Sequence, residues 1–241
     1  MDEAQRAQLD QAGYLIFKNL LSRSEIEALL ARLEQLWVLE GDKAGEENYM
    51  EAGVRRLANL ANKGDLFRGL YAHPQVLEVV EAVMGPEIRA AMLNARDALP
   101  HTGARMPFHM DSDKGRVRDE RGYSAATAIW VLDEFTTANG ATAFVPGSHL
   151  LGKSPKEALP DLNATHPDEI IIEGRPGDVL VFNGHCWHAG RPNETDGHRR
   201  AILVHYLRAD VPRPGNRRQH VEAENAAGLS PRERELLGLD D

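Results

Sequence analysis

Residues Gly177–Gly190, GDVLVFNGHCWHAG, contain the pattern that decides the fold class. A Pro-Gly-Asp turn at 176–178 leads directly into the apolar run Val179–Phe182, which is typical of a buried strand. Trp187-His188-Ala189-Gly190 follows after a short gap, and two arginines stand at 199 and 200. A histidine near the end of one strand and an arginine at the start of the next can face a common interior when the strands belong to a jelly roll.

Similar short runs, rich in β-branched and aromatic residues, recur upstream and downstream of this stretch. The predicted strands are Arg89–Ala95, Met106–Asp111, Ala125–Leu132, Thr142–Val145, Glu169–Ile172, Asp178–Phe182 and Arg200–Leu207. Turn signals separate them, including Asn139-Gly140 and Pro146-Gly147-Ser148. Seven or eight short strands punctuated in this way predict a mainly β fold, a double-stranded β-helix of the jelly-roll, cupin-like kind.

The first third of the chain is predicted to be helical, with one early strand. Ser22-Arg23-Ser24-Glu25 forms a capping-box pattern, and apolar residues then recur at three- and four-residue steps as far as Trp37. A second helix is expected to begin at Pro74 and to end before Gly85-Pro86. We expect these helices to pack on the outer face of the major sheet.

The length of 241 residues suits one domain. Within it we expect a mostly helical scaffold at 1–87, a jelly-roll core at 88–208 and a C-terminal extension at 209–241 with a short helix near Ser230.

Composition excludes several classes of partner. The formal net charge of -9 disfavours a nucleic-acid backbone or an anionic membrane as a general partner. The N-terminus lacks a secretory signal pattern, and no apolar run approaches the roughly 20 residues that cross a bilayer. Cys186 is the only cysteine, so no intramolecular disulfide can form, and we expect a reducing, cytoplasmic location.

His109 and Asp111 are the first candidate metal ligands. On an extended strand residues i and i+2 point to the same face, so this imidazole and carboxylate project side by side. With His188 they can occupy one triangular face of an octahedron, an arrangement suited to non-haem iron(II) with three open positions. A 2-oxo acid can take two of these positions and dioxygen the third, and an arginine fork can bind the far carboxylate of the acid.

The ordered set of motifs resembles the phytanoyl-CoA dioxygenase family over roughly residues 1–208. It comprises Gly13-Tyr14-Leu15-Ile16-Phe17, Leu20-Leu21-Ser22, His109-x-Asp111, Asn139-Gly140-Ala141, Pro146-Gly147-Ser148-His149, Gly177 to Phe182, Trp187 to Gly190, and Asn193 to Arg199. The resemblance implies an iron(II)- and 2-oxoglutarate-dependent oxygenase that uses dioxygen, with His109, Asp111 and His188 as the metal ligands.

Other site residues follow from the resemblance with less definition. It implies an arginine after the distal histidine as the 2-oxoglutarate anchor, and the run 197–202 matches best with Arg199, although strand parity groups Arg200 with the apolar residues that follow. Thr127 and Asn94 are further candidates for hydrogen bonds to the co-substrate. Related halogenases carry a small residue in place of the carboxylate, so Asp111 favours oxygenation.

The reaction and the substrate are open at this point. Hydroxylation of an unactivated carbon in a small-molecule metabolite is the expected outcome, and desaturation, ring closure or epimerisation could use the same residues. The alternatives are a cupin-like, metal-dependent isomerase or lyase without 2-oxoglutarate, and an inert binding domain.

Residues 41–62 and 114–123 are predicted to form loops over the cavity mouth. One hypothesis is that the cations of the second loop, Lys114, Arg116, Arg118 and Arg121, meet an anionic group of the substrate. The sequence does not indicate an oligomeric state.

Overall fold

The computed structural model describes residues 1–47, 50–212 and 221–240. The helices are α1 (Glu3–Ala12), α2 (Arg23–Glu40), α3 (Arg68–Tyr71), α4 (Pro74–Met84), α5 (Pro155–Ala158), α6 (Ala223–Ala226) and α7 (Pro231–Leu237). The strands are β1 (Tyr14–Phe17), β2 (Val54–Leu57), β3 (Ile88–Ala98), β4 (Ala125–Val131), β5 (Thr142–Val145), β6 (Ile170–Ile172), β7 (Val179–Asn183), β8 (Trp187–Ala189) and β9 (Arg199–Arg208). Short 3-10 helices lie at Gly41–Lys43, Leu60–Asn62, Asp65–Phe67 and Ser148–Leu151.

The described strands form two antiparallel sheets. The larger has six strands in the order β1-β7-β4-β9-β3-β2, and the smaller has three in the order β6-β5-β8. An antiparallel bridge between His109 and His188 adds one more residue pair on the open side of β8. The predicted mainly β, jelly-roll-type fold with helices on the major sheet is confirmed.

The helices cover the outer face of the six-stranded sheet. In α2 the Ser22 side chain accepts from the amide of Glu25, whose carboxylate in turn accepts from the Ser22 amide. This closes the predicted capping box. The apolar stripe of α2 and the buried face of α4 join one core cluster with the outward side chains of β3, β4, β7 and β9. This apolar cluster holds the large sheet against the helices.

Strand parity divides β9 into two faces with different tasks. Ile202, Val204 and Tyr206 belong to the helix-side core. Arg199, on the opposite face, points into the interior between the sheets, where Ala201 also lies. The parity that grouped Arg200 with the apolar residues was therefore correct, but that group faces the helices and not the cavity.

Three local predictions differ from the structure. The expected strand at 106–111 is reduced to the single bridge at His109, since Pro107 has no amide hydrogen to donate to a ladder. Strand β2 lies inside the predicted loop 41–62, where Arg55 and Arg56 obscure the strand pattern. The expected helix near Ser230 is confirmed as α7, but it buries Leu236 and Leu237 against the core and is not a purely surface segment.

The carboxylate of Asp178 connects the turn before β7 to the segment that follows β1. Its buried carboxylate accepts hydrogen bonds from Lys18 Nζ at 2.8 Å, the Asn19 amide at 3.1 Å and the Arg175 amide at 2.9 Å. Burial alone would raise the pKa of Asp178, but Lys18 and the two amides outweigh it and lower the pKa. The carboxylate therefore fixes the turn into β7 against the segment after β1.

Asp178→Asn is expected to lower the free energy of unfolding by about 2 kcal/mol, since hydrogen bonds to a charged group are lost. The pKa of Asp178 is lower in the folded protein than in the unfolded chain. The wild type therefore has the higher free energy of unfolding above the unfolded pKa of about 4, and this difference disappears as the pH falls through the pKa of the folded state. Urea denaturation at several pH values measures both effects. Asp42→Asn, at an exposed carboxylate, is the control, and equal stability of the two variants at pH 7 would contradict the assignment.

Candidate metal centre

Backbone pairing brings the first and the last candidate ligand together. The His109 amide donates to the His188 carbonyl at 3.0 Å, and the His188 amide returns a bond to the His109 carbonyl at 3.1 Å. Directly opposite residues of an antiparallel pair project to the same side. The two imidazole rings accordingly lie with their centroids 4.3 Å apart. Asp111 is held next to them because its amide donates to the Gly184 carbonyl at 2.8 Å.

The three side chains present one ligand atom each to a common point. These atoms of His109, Asp111 and His188 all lie within 4.8 Å of one another. His188 Nε2 lies 3.5 Å from Asp111 Oδ1. Two imidazoles and one carboxylate on one side of a point, with a cavity on the other, match the facial arrangement that non-haem iron(II) takes.

The tautomer of each histidine is set by its second nitrogen. His109 Nδ1 lies 3.0 Å from the Pro107 carbonyl, and His188 Nδ1 lies 3.0 Å from the Cys186 carbonyl. A carbonyl can only accept, so Nδ1 carries the proton in both rings. The lone pair of each neutral ring is then on Nε2, which is the orientation that metal-bound histidines use.

The Asp111 carboxylate is held by a two-residue chain from the large sheet. Thr127 Oγ1 donates to Asp111 Oδ2 at 2.7 Å and lies 3.0 Å from His205 Nδ1. Because the threonine proton goes to the carboxylate, His205 Nδ1 donates to the threonine oxygen. Thr127 and His205 are directly opposite each other on β4 and β9. The second oxygen of Asp111 is therefore occupied, and Oδ1 is directed to the histidines.

Electrostatics prepare this set for a cation. Burial, together with the neighbouring His188, lowers the pKa of His109 to about 4, so its ring is neutral near pH 7. Burial opposes ionisation of Asp111, but His188 outweighs it and lowers the pKa of the carboxyl. Burial would likewise lower the pKa of His188, but Asp111 raises it above its ordinary value. A metal ion at this point would require a neutral His188 and an ionised Asp111, the forms in which these side chains act as ligands.

Arg199 lies in the wall of the same cavity, whose volume is about 180 Å³. Its Nε donates to the Asn139 carbonyl at 3.1 Å, and its guanidinium lies 4.6 Å from the centre of the Phe135 ring. Its buried Nη2 has no hydrogen-bond partner among the described residues. Burial, reinforced by Arg96, lowers the pKa of Arg199 to about 9. An enclosed cation with an unused donor fits a carboxylate ligand.

Arg200 points the other way. Its guanidinium donates to both carboxylate oxygens of Asp133, at 2.7 and 3.0 Å, and also contacts Glu34 on α2. Of the two adjacent arginines, only Arg199 lines the cavity. The donor set of the three ligands and the orphaned Nη2 of Arg199 therefore fit a metal ion together with a small dicarboxylate.

The remaining predicted residues occupy different places. Thr127 lines the cavity, but its hydroxyl proton goes to Asp111, so a direct bond to a co-substrate would use only its oxygen. Asn94, on β3, accepts from the Asn59 amide at 3.3 Å and is not among the described residues that line the cavity. Their roles toward the co-substrate stay predictions.

Sequence reasoning missed two arginines that do line the cavity, Arg56 and Arg96. The only signal was the pair of short charged runs, Arg55-Arg56 and Arg96-Asp97, and such runs are equally typical of an exposed edge strand. The cations of loop 114–123 do not line the described cavity. Arg116 pairs with Glu157, and Arg121 pairs with Asp119 and Asp210. The structure gives no support to the hypothesis that this loop binds the substrate.

Comparison with known proteins finds similar sequences among dioxygenases. The model of the phytanoyl-CoA dioxygenase family matches residues 9–201. Dioxygenase af480 of Aspergillus fumigatus is 30% identical over 246 residues, covering 99% of this chain and 77% of that protein.

Two solved structures share the fold. The carbocyclase SnoK from nogalamycin biosynthesis, described as non-heme and alpha-ketoglutarate dependent, has a TM-score of 0.71 at 24% identity, with 90% of this chain and 88% of SnoK covered. HygX from Streptomyces hygroscopicus, solved with nickel and 2-oxoglutarate bound, has a TM-score of 0.72 at 18% identity, with 88% and 89% covered.

His188→Ala is expected to weaken binding of iron(II) or cobalt(II) at least about a hundredfold, because one of three protein ligands is lost. Anaerobic calorimetric titration measures the affinity. The control is His198→Ala, since His198 pairs with Asp97 at 2.9 Å, away from the three ligands. If both variants bind the metal as wild type does, His188 is not a ligand.

Thr127→Val keeps the shape of the side chain and removes the hydroxyl that holds Asp111 Oδ2. Metal affinity is expected to fall about tenfold, as is usual when a group supporting a ligand is lost. Thr142→Val is the matched control, because Thr142 lines the same cavity and its hydroxyl is not bonded to any of the three ligands in the described structure. Identical affinities for the two valine variants would show that Asp111 needs no such support.

Proposed function

This chain belongs to the phytanoyl-CoA dioxygenase family, and we propose that it hydroxylates an unactivated carbon of a small-molecule metabolite at an iron(II) ion held by His109, Asp111 and His188. It is an iron(II)- and 2-oxoglutarate-dependent dioxygenase. The observation that carries the proposal is the placement of two features in one cavity. Three convergent ligand atoms lie within 4.8 Å of one another, and Arg199 Nη2 is a buried donor without a partner in the described chain.

Arg199 forms a preorganised binding site for one end of the co-substrate. Arg199 supplies a fixed cation for the far carboxylate of 2-oxoglutarate, and its planar fork suits two parallel hydrogen bonds. Phe135 beneath the guanidinium and the Asn139 carbonyl at its Nε hold the fork in place before any ligand enters. Little side-chain entropy is then lost on binding.

The bound iron supplies the oxidation, in which dioxygen and 2-oxoglutarate give succinate, carbon dioxide and one oxygen atom for the substrate carbon. The protein contributes position and the exclusion of water. Ile129, Phe182 and Leu203 form an apolar part of the cavity wall. Asp111 fills the position that a halide would need, which favours hydroxylation over halogenation.

The choice between this activity and a cupin-like isomerase or lyase depends on Arg199. A buried guanidinium with an unpartnered Nη2 in the same cavity as the ligands is what a 2-oxo acid requires, whereas metal-assisted isomerisation does not require it. The second reading therefore has no specific observation in its favour. In the described residues no helix is both long enough and apolar enough to span a bilayer. A cytoplasmic location and the absence of a nucleic-acid partner stay predictions from composition, as does a single domain over 1–241.

Addition of 2-oxoglutarate to the anaerobic iron(II) protein is expected to produce the weak visible charge-transfer band of a chelated 2-oxo acid. Under air, the same mixture with a suitable metabolite is expected to release succinate. Arg199→Gln should raise the 2-oxoglutarate concentration for half-maximal band intensity about tenfold or more, because charge-assisted hydrogen bonds are lost.

Arg200→Gln is the control for this titration, since Arg200 bonds to Asp133 on the outer side of the sheet. Its half-maximal concentration should equal that of the wild type. A wild-type protein that binds iron(II) but gives no band with 2-oxoglutarate would refute the proposed function. A band that weakens equally in both variants would remove Arg199 from the site.

A further inference from the structure

Two arginines that the proposed reaction does not use lie side by side on the wall of the cavity. Arg56 on β2 and Arg96 on β3 are directly paired in the register of the two strands. Both line the cavity that holds the metal ligands. Like charges directly opposite each other destabilise a strand pair, so this pair needs an anion between its two guanidinium groups.

Glu51 now supplies that anion. Its carboxylate accepts from Arg96 Nη2 at 2.6 Å and Nε at 3.2 Å, and from Arg56 Nη2 at 2.8 Å. The three side chains are only 10% to 13% exposed. Burial would raise the pKa of Glu51, but Arg96 and Arg56 outweigh it and lower the pKa. A carboxylate is therefore bound here, contributed by the chain itself.

The position of Arg96 connects this carboxylate site to the metal. A Cβ placed on Gly190 would lie 3.3 Å from Arg96 Nη2 and 3.1 Å from Met106 Sδ. Gly190 is two residues after His188, so the guanidinium lies beside the chain that leaves the metal centre. An anion on Arg96 would hold the rest of its molecule next to the open side of the three ligands.

Arg96 also acts on the arginine that is expected to bind the co-substrate. Both arginines line the described cavity, and Arg96 is among the causes that lower the pKa of Arg199. The two cationic sites therefore belong to one cavity.

We propose that Arg96 and Arg56 form the binding site for a carboxylate of the primary substrate, with Glu51 as a resident counter-ion that the substrate carboxylate replaces. The inference rests on the proposed function, because it assigns the substrate class of the same cavity. Glu51 comes directly before the turn into β2 and belongs to neither strand. Its side chain can therefore leave the arginines for water without breaking a ladder hydrogen bond. Two arginine forks recognise a carboxylate by the same charge-assisted geometry, whichever molecule carries it.

Acetate is the probe for this site, with neutral acetamide as its isosteric control. The protein is saturated anaerobically with iron(II) and 2-oxoglutarate, so that Arg199 is occupied, and is titrated by calorimetry at constant ionic strength. Acetate is expected to bind saturably and acetamide to show no binding. Glu51→Gln should tighten acetate binding about tenfold, since the competing carboxylate is gone, and Arg96→Gln should weaken it about tenfold or more.

Arg116→Gln is the matched control, because Arg116 pairs with Glu157 outside the cavity, and its acetate affinity should equal that of the wild type. The gain of affinity in Glu51→Gln cannot arise from misfolding, so it keeps the test decisive if Arg96→Gln is unstable. Unchanged acetate affinity in both Glu51→Gln and Arg96→Gln would overturn the proposal.

Two further outcomes separate the possible sources of the carboxylate. If Arg96→Gln weakens 2-oxoglutarate binding in the visible titration and leaves acetate binding unchanged, Arg96 serves the co-substrate and the proposal is wrong. If the wild type gives no charge-transfer band yet binds acetate with the expected effects of Glu51→Gln and Arg96→Gln, the carboxylate site stands and the oxygenase assignment fails.

Discussion

The site depends on one pair of backbone hydrogen bonds, those between His109 and His188. They form the β-bridge between the 106–111 segment and β8, and they place two imidazoles on the same side of that bridge. Everything else in the centre is arranged around that pair. Asp111 lies beside this pair because its amide donates to the Gly184 carbonyl at 2.8 Å. The Pro107 and Cys186 carbonyls then turn both Nε2 atoms inward.

The larger sheet supplies the functional groups that the bridge cannot. Its outer face is apolar and packs on α2 and α4, which leaves the inner face available for polar side chains. On that face Thr127 and His205 hold Asp111, and Arg199 lines the same cavity. The rigid apolar layer behind these groups limits their movement, so a charged ligand meets donors that are already in position.

Much of this could be predicted from the sequence because the informative signals are local. The His109-x-Asp111 spacing predicts two neighbouring ligand side chains, although the segment forms a bridge and not a strand. The turn at 176–178 predicts β7, and the capping box predicts the start of α2. The family resemblance joins those local signals into one site. The choice of Arg199 needed knowledge of which face of β9 meets the helices, which parity alone does not provide.

The parts that could not be predicted depend on contacts between distant segments. Arg96 reads as a surface charge until β2 is paired with β3 and Glu51 is brought against both strands. Strand β2 itself is hidden, because its two arginines break the apolar alternation. The interaction of α7 with the core depends on Leu236 and Leu237 in a short, mostly charged segment.

The central claim is that His109, Asp111 and His188 alone supply the protein ligands of one iron(II) ion, with three adjacent positions left for reagents. A crystal structure of the anaerobic iron(II) and 2-oxoglutarate complex tests it most directly. The account predicts one metal ion bonded to both Nε2 atoms and to one Asp111 oxygen at about 2.0–2.2 Å, as is usual for divalent first-row metals, with the dicarboxylate chelated opposite and extending to Arg199. A fourth protein ligand on the metal, or a metal bound away from His188, would contradict it.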